Sequence, residues 1–298
     1  MGLAENNTQV MIGGEKYIFS NNIGNDKKLF DSFNKLANKS FGISFNRVGG
    51  EYEPHVLYVN DEICANVSVN KITFYHNGEK RFYIQLGTVM TDEKYRKRGL
   101  SRYLIESIVD EWKDKCDALY LFANDSVLDF YPKFGFEKKD EYQYKYINPA
   151  VSEKKCEKLD VNDEKNRKLV IEKDKEGNSF SKLYMTGDYA LLTFYALGFM
   201  SDNVYYIKDY DLVAVVEYED DMIFCHDIIG QTDADLREVL DIIAGGRKCP
   251  VYLGFTPKKS EGLLCEKYHE EDTTLFINKC GESVFDYEKL MFPTTSHA

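Results

Sequence analysis

The sequence contains no CxxC and no HExxH motif, and its seven cysteines (64, 116, 156, 225, 249, 265 and 280) are odd in number and widely scattered. A disulfide framework or a structural zinc site needs paired, closer spacing. The thiols therefore read as small buried hydrophobes. Cys225-His226 is the one adjacent Cys/His pair, and no third residue at matching spacing makes it a metal or nucleophile site. No apolar run approaches the ~20 residues that span a bilayer. Residues 1–14 lack the basic-then-apolar order of an export signal. Gly2 is followed by Asn6 where an N-myristoylation signal carries Ser or Thr. A cytoplasmic protein with no membrane partner is expected. Basic residues are also short: 38 Lys and Arg stand against 50 Asp and Glu, a net charge of −12. A phosphate backbone wants the opposite sign, so nucleic acid is not an expected partner.

What is present is enough for packed cores. Hydrophobic residues make up 43% and aromatics 14% of 298 residues, a length that accommodates two domains of ordinary size. The charge is uneven. Residues 1–150 hold 20 basic and 21 acidic residues, a net of −1, and residues 151–298 hold 18 and 29, a net of −11. An acidic half either concentrates cationic ligands such as amines in its field or simply keeps the protein soluble.

Hydrophobic periodicity places a helix over residues 24–38, strands over 55–59, 63–75 and 81–90, and an amphipathic helix over 99–113 with Leu100, Leu104, Ile108 and Trp112 on one face. A strand follows at 118–123, a shorter helix at 126–134 closed by Gly135, and a strand at 141–147 with alternating aromatics. Asn148-Pro149 breaks the pattern, and a charged stretch with a candidate strand at 168–172 leads into a second domain. There a helix is expected at 184–197, strands at 204–208, 212–218 and 222–229, a helix at 233–244, a strand at 250–255, a short helix at 262–268 and a strand at 274–277. The stretch Cys116 to Phe122 aligns with Cys249 to Phe255 at an offset of 133 residues, and the shared element order suggests an internal duplication.

The chemistry concentrates between residues 86 and 102. A strand runs into the turn Arg96-Lys97-Arg98-Gly99-Leu100-Ser101, and Gly99 opens a helix. A helix N-terminus presents unpaired N–H groups at the positive end of its dipole and binds anions. Gly99 permits close backbone approach, Ser101 adds a hydroxyl, and Arg96, Lys97, Arg98 and Arg102 neutralise charge. This reads as a pyrophosphate cradle. It is neither a Walker A loop nor a dinucleotide fingerprint, since GxxxxGK[ST] and GxGxxG are both absent. The plain alternative is an exposed basic loop before an ordinary helix.

At these residues the sequence resembles the GNAT superfamily of acetyl-CoA-dependent N-acyltransferases, whose strand is followed by (Q/R)-x-x-G-x-(G/A) and a helix. Here Ser101 stands where a small Gly or Ala is usual. The family's later Asn, aromatic-Tyr pair and Gly-Phe match Asn124, Phe130-Tyr131 and Gly135-Phe136. The likeness covers about residues 20–147 clearly and 168–280 as an echo. It implies that the backbone of Val89 and Met90 holds pantetheine where two central strands splay apart. It also implies that residues 96–101 hold the pyrophosphate, that Asn124 contacts the pantetheine arm, and that Tyr131 protonates the departing thiolate. A phenol, with a pKa near 10, suits that task; otherwise Tyr131 is one more packed aromatic. Members of the family often carry a Glu about eleven residues before the turn. Gln85 stands there and is no base, leaving water, Tyr83 or Glu79 to take the amine's proton. The offset of 133 sets Thr232, Pro257 and Leu264 opposite Gly99, Asn124 and Tyr131, and residues 229–234 carry no basic group.

The expected fold is α/β (α+β): two GNAT-like domains, each a mixed, mostly antiparallel sheet flanked by helices. Residues 1–148 form the catalytic domain and 149–298 a degenerate copy that shapes the substrate cleft or a dimer contact. The expected function is acetyl transfer from acetyl-CoA to a small primary amine, with a cationic one favoured, by direct attack in a ternary complex and without a metal. Two alternatives stand beside it: a non-catalytic acyl-CoA-binding or regulatory protein, which the loss of Glu at position 85 favours, and a purely structural module. Monomer and homodimer are both open.

Overall fold

The computed structural model describes residues 6–147, 152, 154–279 and 283–297. The Asn148-Pro149 break, Cys280 and residues 1–5 lie outside the described residues. Strands β1 (Thr8–Ile12) and β2 (Glu15–Ser20) form an opening hairpin. Helix α1 (Lys27–Phe41) starts where Asp26 accepts hydrogen bonds from the N–H groups of Lys28 and Leu29, and stops at left-handed Gly42. Strands β3 (Tyr52–Val59), β4 (Glu62–His76) and β5 (Glu79–Thr91) follow, then α2 (Leu100–Trp112), β6 (Ala118–Ala123), β7 (Glu137–Lys138) and β8 (Glu141–Ile147). After β9 (Glu157–Lys158) come α3 (Glu164–Asp174), β10 (Leu183–Met185), α4 (Tyr189–Phe194), β11 (Val204–Ile207), β12 (Leu212–Tyr218) and β13 (Ile223–Ile229). Helix α5 (Leu236–Ala244), β14 (Pro250–Leu253), β15 (Leu264–Tyr268) and β16 (Thr274–Lys279) complete the set.

The first sheet runs β1-β2-β3-β4-β5-β6-β16-β7, with β10 on the far end of β4; the second runs β15-β8-β14-β13-β12-β11-β9. Each contains one parallel pair, β5 with β6 and β13 with β14, and is otherwise antiparallel. Both are mixed, mostly antiparallel sheets flanked by helices, as expected. The boundary expected near residue 148, however, does not follow sheet membership. Strand β8 pairs with β14 and β15 in the second sheet, and β16 fills the gap between β6 and β7 in the first. The two halves exchange their closing strands.

Four local expectations differ. Residues 126–134 hold two short 3-10 turns, at 125–127 and 131–134, because Pro132 removes an N–H that a continuous helix would use. Residues 168–172 lie inside α3, which Asp163 caps through the N–H groups of Lys165 and Asn166. Of residues 184–197, the first two belong to β10, and α4 gives way at Tyr195 to one wider π turn. Residues 264–268 are a strand, because β8 supplies a partner for every one of them.

Leu100, Leu104, Ile105 and Ile108 of α2 pack on Val67, Val69, Ile84, Leu119 and Leu121 in the first core. Val239, Leu240 and Ile243 of α5 pack equivalently on Ala214, Val216, Cys225 and Leu253 in the second. Each fully buried aliphatic side chain contributes about 1.5–3 kcal/mol. The other face of the first sheet is covered by the C-terminal segment, where Phe292 stacks on Tyr120 at 4.0 Å and His297 on Phe122 at 3.8 Å. Among the described residues, no helix is long and apolar enough to cross a membrane.

Candidate active site

Strands β5 and β6 pair only from Tyr83 to Gln85 against Ala118 to Tyr120. Beyond that point both continue without bridging, and a wedge opens between them. A bulge reinforces it. Gly87 pairs with Ser68 and Met90 with Asn66, so Thr88 and Val89 together oppose Val67. Thr88 adopts a left-handed φ of +40°, unusual for a β-branched residue. A buried polar network holds it there. The Asn66 side-chain amide donates to the Thr88 carbonyl at 2.8 Å, the Thr88 hydroxyl donates to Ser68 at 2.6 Å, and the Tyr52 hydroxyl lies 2.6 Å from Thr88 Oγ1. Burial pushes the Tyr52 phenol up to about 12, so it remains a neutral partner.

A cavity of about 540 Å³ lies at the wedge. Val89, Met90, Arg96 and Ser101 line it from the β5 side, and Asn124 and Tyr131 from beyond β6. Six of the residues singled out in the sequence thus share one cavity. Lys97, Arg98, Gly99 and Leu100 do not line it. The Arg98 guanidinium is engaged by Glu15 at 2.5 Å and by the Lys94 carbonyl at 2.9 Å, and Leu100 is buried in the core. Gly99 acts through conformation: its φ is +84°, and an added Cβ would meet only Ile12 Cγ2, at 3.8 Å. It leads the chain into α2 without supplying a side-chain cap. Helices α1, α3, α4 and α5 are each capped by an aspartate carboxylate, from Asp26, Asp163, Asp188 and Asp235. The first N–H groups of α2 are therefore available to an external anion.

The cavity's charge is mixed. Arg96 and Lys39 are joined by Asp92 and Glu93, with Lys39 Nζ 3.4 Å from Asp92 and 3.5 Å from Glu93. Ser101 shares a 2.6 Å hydrogen bond with Thr91. Tyr131 is 5% exposed, among Phe130, Phe136 and Phe276. Burial pushes its phenol up to about 12, so it stays protonated across the physiological range. Sequence reasoning missed the wall from the last turn of α1, including Lys39, Ser40 and Phe41. Nothing in their spacing signals a ligand, because only the fold brings that helix end to the wedge.

Gln85 is fully buried on the sheet face opposite α2, where its side-chain oxygen accepts from Asn70 at 3.4 Å. The other two candidate bases are poorly placed. Tyr83 is buried against Phe74 and Phe292, and burial pushes its phenol well above the ordinary range. Glu79 sits six residues earlier on β5, about 20 Å away at ~3.4 Å per residue, beside Arg81.

The second half has the same parallel pair, β13 with β14, bridged from Ile223 to Cys225 against Val251 to Leu253. Its wedge is occupied. Asn178 bridges to Gly230 and Ser181 to Pro257, while Gly230 donates to the Gly177 carbonyl at 2.7 Å and Lys258 to the Phe180 carbonyl at 2.7 Å. The chain's own residues 177–182 run where the first half is open. The helix starts also revise the offset of 133: α2 begins at Leu100 and α5 at Leu236, so Asp235, rather than Thr232, is the counterpart of Gly99. Cys225 is fully buried, which pushes its thiol up and makes it a poor nucleophile. Among the described residues, no three His, Cys, Asp or Glu side chains are grouped to hold a metal ion.

Residues 27–138 match the family model described as acetyltransferase (GNAT) domain. No curated protein matches the sequence. Among solved structures, a GCN5-related N-acetyltransferase from Anabaena variabilis superposes with a TM-score of 0.58 at 12% identity, covering 89% of this chain and 73% of that one. A probable N-acyltransferase from Enterococcus faecalis gives 0.54 at 12%, covering 85% and 69%. Eis1 from Mycobacterium abscessus gives 0.54 at 13%, covering 87% and 72%. At these identities the likeness is one of fold.

Proposed function

We propose, from the match of residues 27–138 to the family model described as acetyltransferase (GNAT) domain, that the chain is an acetyl-CoA-dependent N-acetyltransferase acting on a small primary amine. The observation that carries this reading is the convergence of an uncapped helix N-terminus, the bulged strand at Val89 and Met90, Arg96, Asn124 and Tyr131 on one wedge. In this reading the first turn of α2 and residues 96–101 take the pyrophosphate. The backbone of Val89 and Met90 runs beside the pantetheine arm, and Asn124 contacts it from the other wall.

The acceptor nitrogen attacks the thioester carbonyl directly within a ternary complex. The C–S bond breaks, and the Tyr131 hydroxyl gives its proton to the departing thiolate. Burial makes Tyr131 a weaker acid than a free phenol, but the same enclosure disfavours the thiolate, so the two pKa values move together. The acceptor's own proton leaves to water, since Gln85 has no basic group. The acidic second half favours a cationic amine. Glu217, Glu219, Asp220 and Asp221 do not line the cavity, so their effect would be one of field.

A second reading is a protein that binds acyl-CoA without turning it over. Gln85, buried and hydrogen-bonded in place of a carboxylate, favours it. Thiol release from acetyl-CoA across a panel of polyamines, amino acids and neutral monoamines separates the two. Amine-dependent release supports the transferase, and coenzyme A binding with no release under any amine supports the binder.

A further inference from the structure

The turn that follows β6 is fastened from the far half of the chain. The Asn124 side-chain N–H donates to Asp272 twice, to its carboxylate at 2.8 Å and to its backbone carbonyl at 3.3 Å. The backbone N–H of Asp125 donates to the other carboxylate oxygen of Asp272 at 2.7 Å. Asp272 lies in the turn between β15 and β16 and holds a left-handed φ of +56°, a conformation that Asn, Asp and Gly adopt more readily than other residues. Strand β16 then pairs with β6, with Thr274 opposite Ala123. The exchanged strand therefore carries Asp272 to the end of the very strand that forms one side of the wedge.

From this arrangement we propose that Asp272 is a positioning residue for the cofactor cleft, and that supplying it is a working contribution of the second half to the first. The proposal rests on the acetyltransferase reading. Residues 124–127 form a turn whose Asn124, Ser126 and Val127 line the cavity, and Tyr131 follows on the next turn. The turn is exposed, and its own N-cap side chain, Asn124, does not cap it. Asp272 fixes the rotamer of Asn124 by engaging its amide N–H group, which leaves the Oδ1 acceptor for an arm lying in the cleft. A carboxylate is suited to the task because both its oxygens accept, one from each donor. In Asp272→Asn one of those two acceptors becomes a donor facing a donor, while the left-handed backbone is still tolerated.

The test uses the full chain with Asp272→Ala, Asp272→Asn and Asp272→Glu. Coenzyme A affinity is read by calorimetry, and kcat and KM for acetyl-CoA by thiol release. Asp272→Ala is expected to weaken coenzyme A binding and raise KM about 10-fold, with kcat changed less than 3-fold and the melting temperature within about 2 °C. Asp272→Glu, which keeps two acceptors, is expected to recover part of the affinity, and Asp272→Asn less. In the Asp272→Ala background, Asn124→Ala should cost far less than it does alone, because the two act as a unit. Wild-type affinity in Asp272→Ala, or strictly additive losses in the double variant, would overturn the proposal. A wild-type chain that binds no coenzyme A would instead overturn the acetyltransferase reading on which it rests.

Discussion

The two halves place the same strand–helix–strand unit in their sheets and differ in what fills it. In the first, β5 and β6 part after Gln85, the wedge is open, and Gly99 leaves the start of α2 without a cap. In the second, β13 and β14 part after Cys225, but residues 177–182 lie in the gap, and the Asp235 carboxylate accepts from the N–H of Arg237 at the start of α5. The gap between the two parallel strands is thus open in one half and filled by the chain's own residues in the other, where a cavity of about 430 Å³ remains at the start of α5, lined by Ser179, Phe180, Arg237 and Lys258. The same strand–helix–strand unit accommodates either an open gap or one filled by the chain's own backbone. In the second half an N-cap carboxylate and residues 177–182 supply hydrogen-bond partners from within the chain.

The contrast is broken most severely at Gly99. Gly99→Leu forces a branched side chain into φ +84°, and the turn into α2 must rearrange. Coenzyme A binding should fall by at least ~100-fold, about 2.7 kcal/mol, with the chain still folded by circular dichroism. Normal binding in this variant would mean that the anion site lies elsewhere. Next in size is Tyr131→Phe, which should retain coenzyme A affinity while lowering turnover by roughly 10²–10⁴-fold. An effect under a few-fold would remove Tyr131 from proton transfer.

A smaller effect probes the charge difference between the halves, −1 against −11. The specificity constant for a polyamine should fall several-fold between low and high salt, while that for a neutral monoamine holds steady. Charges beyond roughly 8 Å are screened at about 0.15 M salt. Equal salt responses would show that the acidic half plays no part in steering.

A last effect, on stability rather than on binding or turnover, concerns the seam between the halves. Glu141 opens the exchanged strand β8, is fully enclosed, and accepts from the Phe292 N–H at 2.9 Å. Burial pushes its carboxyl up to about 8, from an ordinary 4.5. Between those values the folded chain keeps a proton that the unfolded chain has released. The stabilising contribution of Glu141 is therefore full below pH 4.5 and is lost progressively as pH rises towards 8. Glu141→Gln keeps the acceptor and removes the titration. Its melting temperature should match wild type near pH 4.5 and exceed it by about 10 °C at pH 8, since a shift of that size amounts to several kcal/mol. A gap that does not widen with pH would contradict the assignment.

The wedge was legible in the sequence because its parts are local. A strand, a basic turn, Gly99 and an amphipathic helix follow one another, and α2 begins at Leu100 with β6 at Ala118 to Ala123. Asn124 and Tyr131 were legible through the resemblance. What stayed hidden depends on partners far away in the chain. No propensity reveals that β8 will pair with β15 and β16 with β6, since a strand's own pattern does not name its neighbour. For the same reason residues 264–268 read as helix until β8 pairs with them, and neither Asp272 nor residues 177–182 carry any mark of their contacts. The Lys168 to Glu172 run favours a strand by its Val-Ile pair, yet the Asp163 cap and the absence of a neighbouring strand settle it as helix.

The contrast between the halves is tested most directly by the stoichiometry of coenzyme A binding to the full chain, measured by isothermal titration calorimetry. One site per chain is expected, lost in Gly99→Leu and unchanged in Asp235→Ala, because residues 177–182 still fill the second wedge. Two sites of similar affinity, or a single site that survives Gly99→Leu, would contradict the assignment of the open wedge in the first half as the cofactor site.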